Sequence, residues 1–297
     1  MGVPFQSVQR GLVLAGGAAG VAAAFNTPIA GIVFAVEELA RTFEERTTGT
    51  LLTAVVIAGV VSTALLGNYV YFGQAAVHLP SVASWLAVPL CGVAGGLLGG
   101  VFSRLLISQT QRLLPLISAR PVLVAFSLGC AVAGIGWFSG GATFGTGYHE
   151  AYALLMNERQ PELLFPIYKF LATLLSYLTG VPGGIFSPAL STGAGLGADL
   201  GLMFPHLPMA AMIILGMAGY FTGVTQTPMT GAVIVMEMVD DHALILPILA
   251  TTFLATVASK LVCRRPIYQA LADNFISDAT TRSETLEVTP VAIHIKR

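Results

Sequence analysis

Lys and Arg are absent from four long stretches of this sequence, residues 11–40, 47–103, 121–158 and 170–259. Only 10% of the 297 residues are charged, against about 25% in a soluble domain, and the mean hydropathy is +0.79. So little charge excludes a chain that faces water over most of its surface. Each stretch is long enough for one or more bilayer crossings at roughly 20 residues apiece. A net charge of −1 excludes the basic face that nucleic acid demands and gives no reason to expect an acidic partner. Cysteine is scarce too. Cys91, Cys130 and Cys263 are odd in number and share no metal or redox spacing, which excludes a disulfide framework and leaves three reduced packing residues. No zinc-protease pair occurs, because Ala153 stands where a second histidine would follow His149 and Glu150. With no nucleophile, metal set or acid–base pair, neither an enzyme nor a cofactor is expected. Gln6 replaces the Ser or Thr of a myristoylation signal. The apolar run after Arg10 ends in Ala22, Ala23 and Ala24 like a signal peptide, but it recurs deep in the chain, which argues against a cleaved leader.

What is present is apolar sequence punctuated by Gly, Pro and a few charges. It predicts an all-α, polytopic membrane protein with helices near 6–26, 29–45, 50–72, 82–113, 121–139, 162–180, 188–204, 208–224, 228–239, 243–262 and 266–276. The expected organisation is a transmembrane domain over 1–272 and a short polar cytoplasmic tail over 273–297, too short to fold on its own.

Two segments repeat at a constant offset. GGAAGVAAAFNTPIAGIVFAVEE from Gly16 aligns with GMAGYFTGVTQTPMTGAVIVMEM from Gly216 without a gap, pairing Thr27 with Thr227, Pro28 with Pro228, Gly31 with Gly231 and Glu37 with Glu237. Ala and Gly matches alone would be ordinary between apolar segments, but the Thr-Pro, Gly and Glu matches are not. Each copy reads as a helix, a break, and a second helix that starts with proline, where the missing N–H is no loss. Broken helices at matching places in two halves point to a transporter made of structural repeats. Arg41 and Arg46 follow the first copy, whereas Asp240 and Asp241 follow the second. By the positive-inside rule this favours opposite orientations.

Three features carry chemistry. Gly180-Val181-Pro182-Gly183-Gly184-Ile185-Phe186-Ser187-Pro188 places a glycine-rich loop before a helix that can begin at Pro188. Free amides and the helix dipole would there form an anion site without a fixed cation, from which an ion can leave again; an ordinary interhelical loop is the competing reading. Glu37 and Glu38 end an apolar helix, either as intramembrane carboxylates with a function or as charges at the headgroups that merely end the helix. Gly92, Gly95, Gly96, Gly99 and Gly100 form small-xxx-small spacings that predict close helix packing.

The strings GGIFSP at 183–188, AGGAAGVAAAFNTPIAGIVFAVEEL at 15–39 and RRPIYQAL at 264–271, with TFGTGY at 143–148 and TPMTGAVIVMEM at 227–238, resemble the signatures of the CLC chloride channel and transporter family. The resemblance implies that the amides around Gly184, Ile185 and Phe186 bind a dehydrated chloride, that Tyr268 offers it a hydroxyl, and that Glu38 relays protons, while Glu237 plays no part in transport. It further implies chloride/proton antiport, a homodimer with one pore per subunit, and a multi-pass place in a cell membrane of bacterial type. A passive chloride channel is the first alternative, and a non-transporting membrane protein the second. Two family motifs, the Gly-Ser-Gly-Ile-Pro segment with its serine ligand and the segment with the gating glutamate, are not in these residues. An N-terminally truncated member of the family is therefore the expectation.

Overall fold

The computed structural model describes residues 5–40 and 45–273, apart from 68, 76, 78, 80 and 182, and among these it is helical with no strand. In chain order the helices are α1 (Phe5–Phe25), α2 (Pro28–Phe34), α3 (Glu45–Leu66), α4 (Ala87–Ala119), α5 (Pro121–Phe138), α6 (Tyr148–Leu155), α7 (Phe165–Leu178), α8 (Phe186–Met203), α9 (Met209–Thr225), α10 (Pro228–Val239) and α11 (Ile245–Val262). α2 runs on into a wider π turn, Ala35–Ala40, and a 3-10 turn, Val82–Leu86, leads into α4. A last helical stretch occupies 267–273. Among the described residues, four segments are long and apolar enough to cross a bilayer: Gly49–Leu66, Ser84–Ala119, Pro121–Phe138 and Ile245–Val262.

α9 forms the centre. Every residue from Ala211 to Thr225 is buried, as expected of a helix that is apolar all round, and α4, α8 and α11 pack on it. Glycine lets them come close. A Cβ on Gly95 of α4 would lie 2.6 Å from the Gly219 carbonyl carbon, and one on Gly99 2.5 Å from that of Gly223. The other glycine stripe of α4 faces α11, where a Cβ on Gly92 would lie 3.0 Å from the Thr251 carbonyl and one on Gly100 2.9 Å from that of Ser259. The glycine spacings thus serve helix packing on two sides of one helix. Hydroxyls seal the seam: Ser103 donates to the Val224 carbonyl at 2.9 Å and Ser259 to that of Gly223 at 2.6 Å.

The repeat is visible in backbone conformation. Asn26 and Gln226 both adopt left-handed φ, 54° and 61°, and end α1 and α9; Thr27 and Thr227 then sit at φ −126° and −115° before the prolines that begin α2 and α10. Neither threonine caps its own helix with its side chain. The cap comes from the other repeat. Glu37 accepts the amides of Met229 at 3.1 Å and Thr230 at 2.6 Å, and the Thr230 hydroxyl at 2.7 Å. Glu237 accepts the amides of Ile29 at 3.1 Å and Ala30 at 2.7 Å. Each carboxylate lies nine residues past its own proline and reaches the first turn of the opposite helix. The two helices therefore run antiparallel, which makes the repeat an inverted one. A carboxylate at a helix N-terminus satisfies orphan donors and matches the dipole.

Several boundaries differ from those the sequence predicts. α3 stops at Leu66 rather than 72, because Gly67 takes a left-handed φ of 83°, the ordinary way a helix ends. The chain then turns at Tyr71 and Phe72, with the Gly73 amide on the Val70 carbonyl at 3.1 Å, and lies on α10, with the Phe72 amide on the Met238 carbonyl at 2.8 Å and that of Ala75 on Val239 at 3.3 Å. α4 continues through Pro115 to Ala119 instead of ending at 113. α6 is a helix that hydropathy did not show. The polar tail from 274 lies outside the described residues.

Candidate anion-binding site

α8 begins at Phe186, two residues before Pro188, with Ile185 at the cap and the Ala189 amide on the Ile185 carbonyl at 2.9 Å. Proline in the third position of the first turn still lacks only an orphan N–H, so it does not mark the start. Among the described residues no acceptor meets the N–H groups of Gly184, Ile185, Phe186 or Ser187. Here α8 differs from α2 and α10, whose first amides are taken by carboxylates. Gly184, Phe186 and Ser187 border a cavity of about 440 Å³, together with Phe25, Tyr71, Thr143, Gly145, Lys169 and Ser176 among others. Ile185 itself is 3% exposed.

The other residues singled out in the sequence converge on the same place. The Phe186 ring meets those of Phe221, Phe34, Tyr268 and Phe25 at centroid distances of 5.0, 5.2, 6.1 and 6.3 Å. Tyr268, on the stretch after α11, also faces Phe34 at 6.4 Å. α2 thus brings Phe34 to this aromatic cluster and, one turn on, Glu38. The Glu38 side chain is 8% exposed and lies within electrostatic reach of Tyr268. Glu37 and Glu38 part company: the first caps α10, the second is buried within electrostatic reach of the tyrosine. The π turn, with one more residue per hydrogen-bonded turn than an α-helix, contains both.

One feature escaped the sequence reading. The cavity was expected to hold no fixed cation, yet Lys169 of α7 lines it, 1% exposed. Its Nζ donates to the Thr143 carbonyl at 3.0 Å and the Gly145 carbonyl at 2.8 Å. Those carbonyls belong to the TFGTGY string, which thereby has a physical task. Lys169 stands immediately before the 170–259 stretch, so it read as a boundary; a lone lysine within an apolar helix is itself the signal that could have found it. Beyond the cavity, Arg159 binds Glu150 and Glu162, the latter at 2.6 Å. Among the described residues no cluster has the make-up of a metal site.

An inverted pair of broken helices beside a cavity faced by an uncapped helix N-terminus defines an inverted-repeat polytopic membrane protein. The model of the voltage gated chloride channel family matches residues 4–260, and the chain belongs to that family, the CLC proteins. Its fold is similar to that of a CLC-type fluoride/proton antiporter, with a TM-score of 0.75 and 23% identity over 88% of this chain and 65% of that one. A slow cyanobacterial Cl⁻/H⁺ antiporter matches with a TM-score of 0.73 and 25% identity over 91% and 65%, and a eukaryotic CLC transporter with 0.65 and 20% over 90% and 47%. The chain spans 65% of the length of the first two.

Proposed function

We propose that this protein takes part in the exchange of a small halide, chloride in the first instance, for protons across a cell membrane of bacterial type, as a homodimer. The observation that carries the reading is the contrast between helix starts. α2 and α10 have carboxylates on their first amides, whereas the amides at Ile185 and Phe186 have no acceptor among the described residues and the loop and first turn of α8 border a cavity. Backbone donors without a full charge bind a dehydrated anion and release it, which conduction requires. In this scheme Gly184, Ile185 and Phe186 supply the amides, Tyr268, whose ring meets that of Phe186, supplies a hydroxyl, and Glu38 hands over the proton.

The test is reconstitution in chloride-loaded liposomes, following external chloride and pH together, for the wild-type chain and Glu38→Gln. Chloride efflux that drives proton uptake, lost in Glu38→Gln while chloride flux persists, is the expected result. Chloride flux without proton movement in the wild type would point to a passive channel. Unchanged coupling in Glu38→Gln would remove Glu38 from the scheme. Absence of both flux and chloride-dependent thermal stabilisation would favour a non-transporting protein.

A further inference from the structure

We infer that a second hollow, of about 280 Å³ and walled by Tyr69, Tyr71, Tyr148, His149 and Thr146, is a binding site for a neutral hexose unit, free in solution or carried as the headgroup of a glycolipid. The inference is independent of the proposed transport.

The walls come from two segments far apart in sequence, and each is held from behind. The Asn26 side-chain amide donates to the Tyr69 carbonyl at 2.7 Å. Gly147, left-handed at φ 82°, starts α6 and so sets Tyr148. Phe72, fully buried, lies against Tyr71 at 4.9 Å and stacks on Tyr148 at 5.7 Å between centroids. The rings that result stand close to square with one another: Tyr71 and Tyr148 meet at 73° and Tyr148 and His149 at 71°, with centroids 4.9 and 5.2 Å apart. Both segments lie just beyond the ends of the apolar spans Gly49–Leu66 and Pro121–Phe138, and Trp137 and Phe138 are exposed at the end of the second. The hollow is therefore at headgroup level. An aromatic belt alone does not account for it. Belt residues meet the lipid singly, whereas these rings pack on one another around a common space.

The chemistry of the walls selects the occupant. Among the described residues the lining has no carboxylate, lysine or arginine, so a charged ligand would find no counter-ion there. An ammonium ion could still sit on ring faces, but the charge of Lys169 stands against it: a Cβ on Gly147, between two of the lining residues, would lie 2.8 Å from Lys169 Cε. What the walls do offer is ring faces and hydroxyls together. Ring faces are electron-rich and suit the C–H face of a sugar, whose hydrogens are weakly positive. The phenol oxygens of Tyr69, Tyr71 and Tyr148 make no hydrogen bond among the described residues, and each can both donate and accept, as sugar hydroxyls require. Burial first, then the phenols of Tyr152, Tyr71 and Tyr69, push the Tyr148 hydroxyl above its ordinary value, which keeps it a donor. The volume lies near the lower end of the ~300–1,000 Å³ usual for small-molecule sites, which fits one sugar ring and not a lipid tail or a peptide.

Saturation-transfer NMR on the wild-type protein, held in a polyoxyethylene ether detergent that contains no sugar, tests this with methyl glucoside, galactoside and mannoside. Transfer to the C–H protons of at least one glycoside is expected, and Tyr69→Ala, which removes one wall, should weaken its binding by about twofold to tenfold. The same protein in nanodiscs with and without a monohexosyl diacylglycerol separates the two sources: transfer from protein to the lipid sugar alone assigns the site to a headgroup, and transfer to the free glycoside assigns it to a soluble sugar. No transfer to any sugar in either setting overturns the inference, as does equal binding by a folded Tyr69→Ala. Tetramethylammonium that binds and is displaced by none of the glycosides overturns the choice of a neutral ligand. Should Tyr69→Ala not fold, Tyr71→Phe, which keeps the ring and loses one hydroxyl, takes its place, and unchanged sugar binding in it and in His149→Ala together overturns the site.

Discussion

Exchanging either of the paired glutamates for glutamine tests whether the two repeats hold each other in register. Glu237 accepts two amides and Glu37 two amides and a hydroxyl. A hydrogen bond to a charged acceptor contributes about 1.5–3 kcal/mol net, and an anion at a helix N-terminus adds roughly 0.3–1 kcal/mol. Glutamine keeps one acceptor oxygen but sets an NH₂ group against a backbone N–H, and Ile29 and Met229 are partly exposed, so part of the loss is recovered through water. Glu237→Gln is therefore expected to destabilise by ~2–3 kcal/mol, and Glu37→Gln by about 1 kcal/mol more for the Thr230 hydroxyl. Thr230→Ala isolates that last contribution, and it should have no further effect once Glu37 is glutamine. Unfolding in mixed detergent micelles, followed by circular dichroism, supplies the free energies. Changes below about 0.5 kcal/mol for both glutamines, the range of ordinary surface substitutions, would refute the reasoning.

Three further outcomes are expected. Gly99→Val on α4 drives a side chain into the Gly223 backbone of α9 and should abolish a monodisperse folded species in gel filtration, whereas Gly129→Ala on α5, with nothing within 4 Å of its Cβ, should behave as wild type. Phe72→Ala removes a fully buried ring from the turn lying on α10, and should cost about 3–5 kcal/mol, read as a lowered melting temperature and faster proteolysis. Tyr268→Phe keeps the ring contacts with Phe34 and Phe186, so it should melt near wild type in the absence of chloride while losing part of any chloride-dependent rise; an undiminished rise would take the hydroxyl out of the anion site.

Much of this architecture was legible before any coordinates. Long spans without Lys or Arg marked the membrane helices, and the 200-residue offset between Glu37 and Glu237 exposed the repeat because Thr, Pro, Gly and Glu are individually costly or special within apolar sequence. What local pattern could not show is which groups meet across the chain. That Glu37 reaches Thr230, or that Lys169 reaches Thr143, depends on packing between segments distant in sequence. α6 escaped because eight residues containing His149 and Glu150 carry little hydropathy signal. The start of α8 was placed two residues late because proline is permitted throughout a first turn and not only at its first position.

The wide turn at Ala35–Ala40 bears on how this segment can vary. Successive residues of a helix point about 100° apart, from 3.6 residues per turn, and the added residue of a π turn shifts whatever follows by a similar angle. Losing one residue there would rotate Glu38 into the place now held by Glu37, keeping the clasp on α10 while emptying the position beside Tyr268. Insertions and deletions at this point should thus separate assembly from the proton transfer proposed for Glu38, although both carboxylates are adjacent letters in the chain.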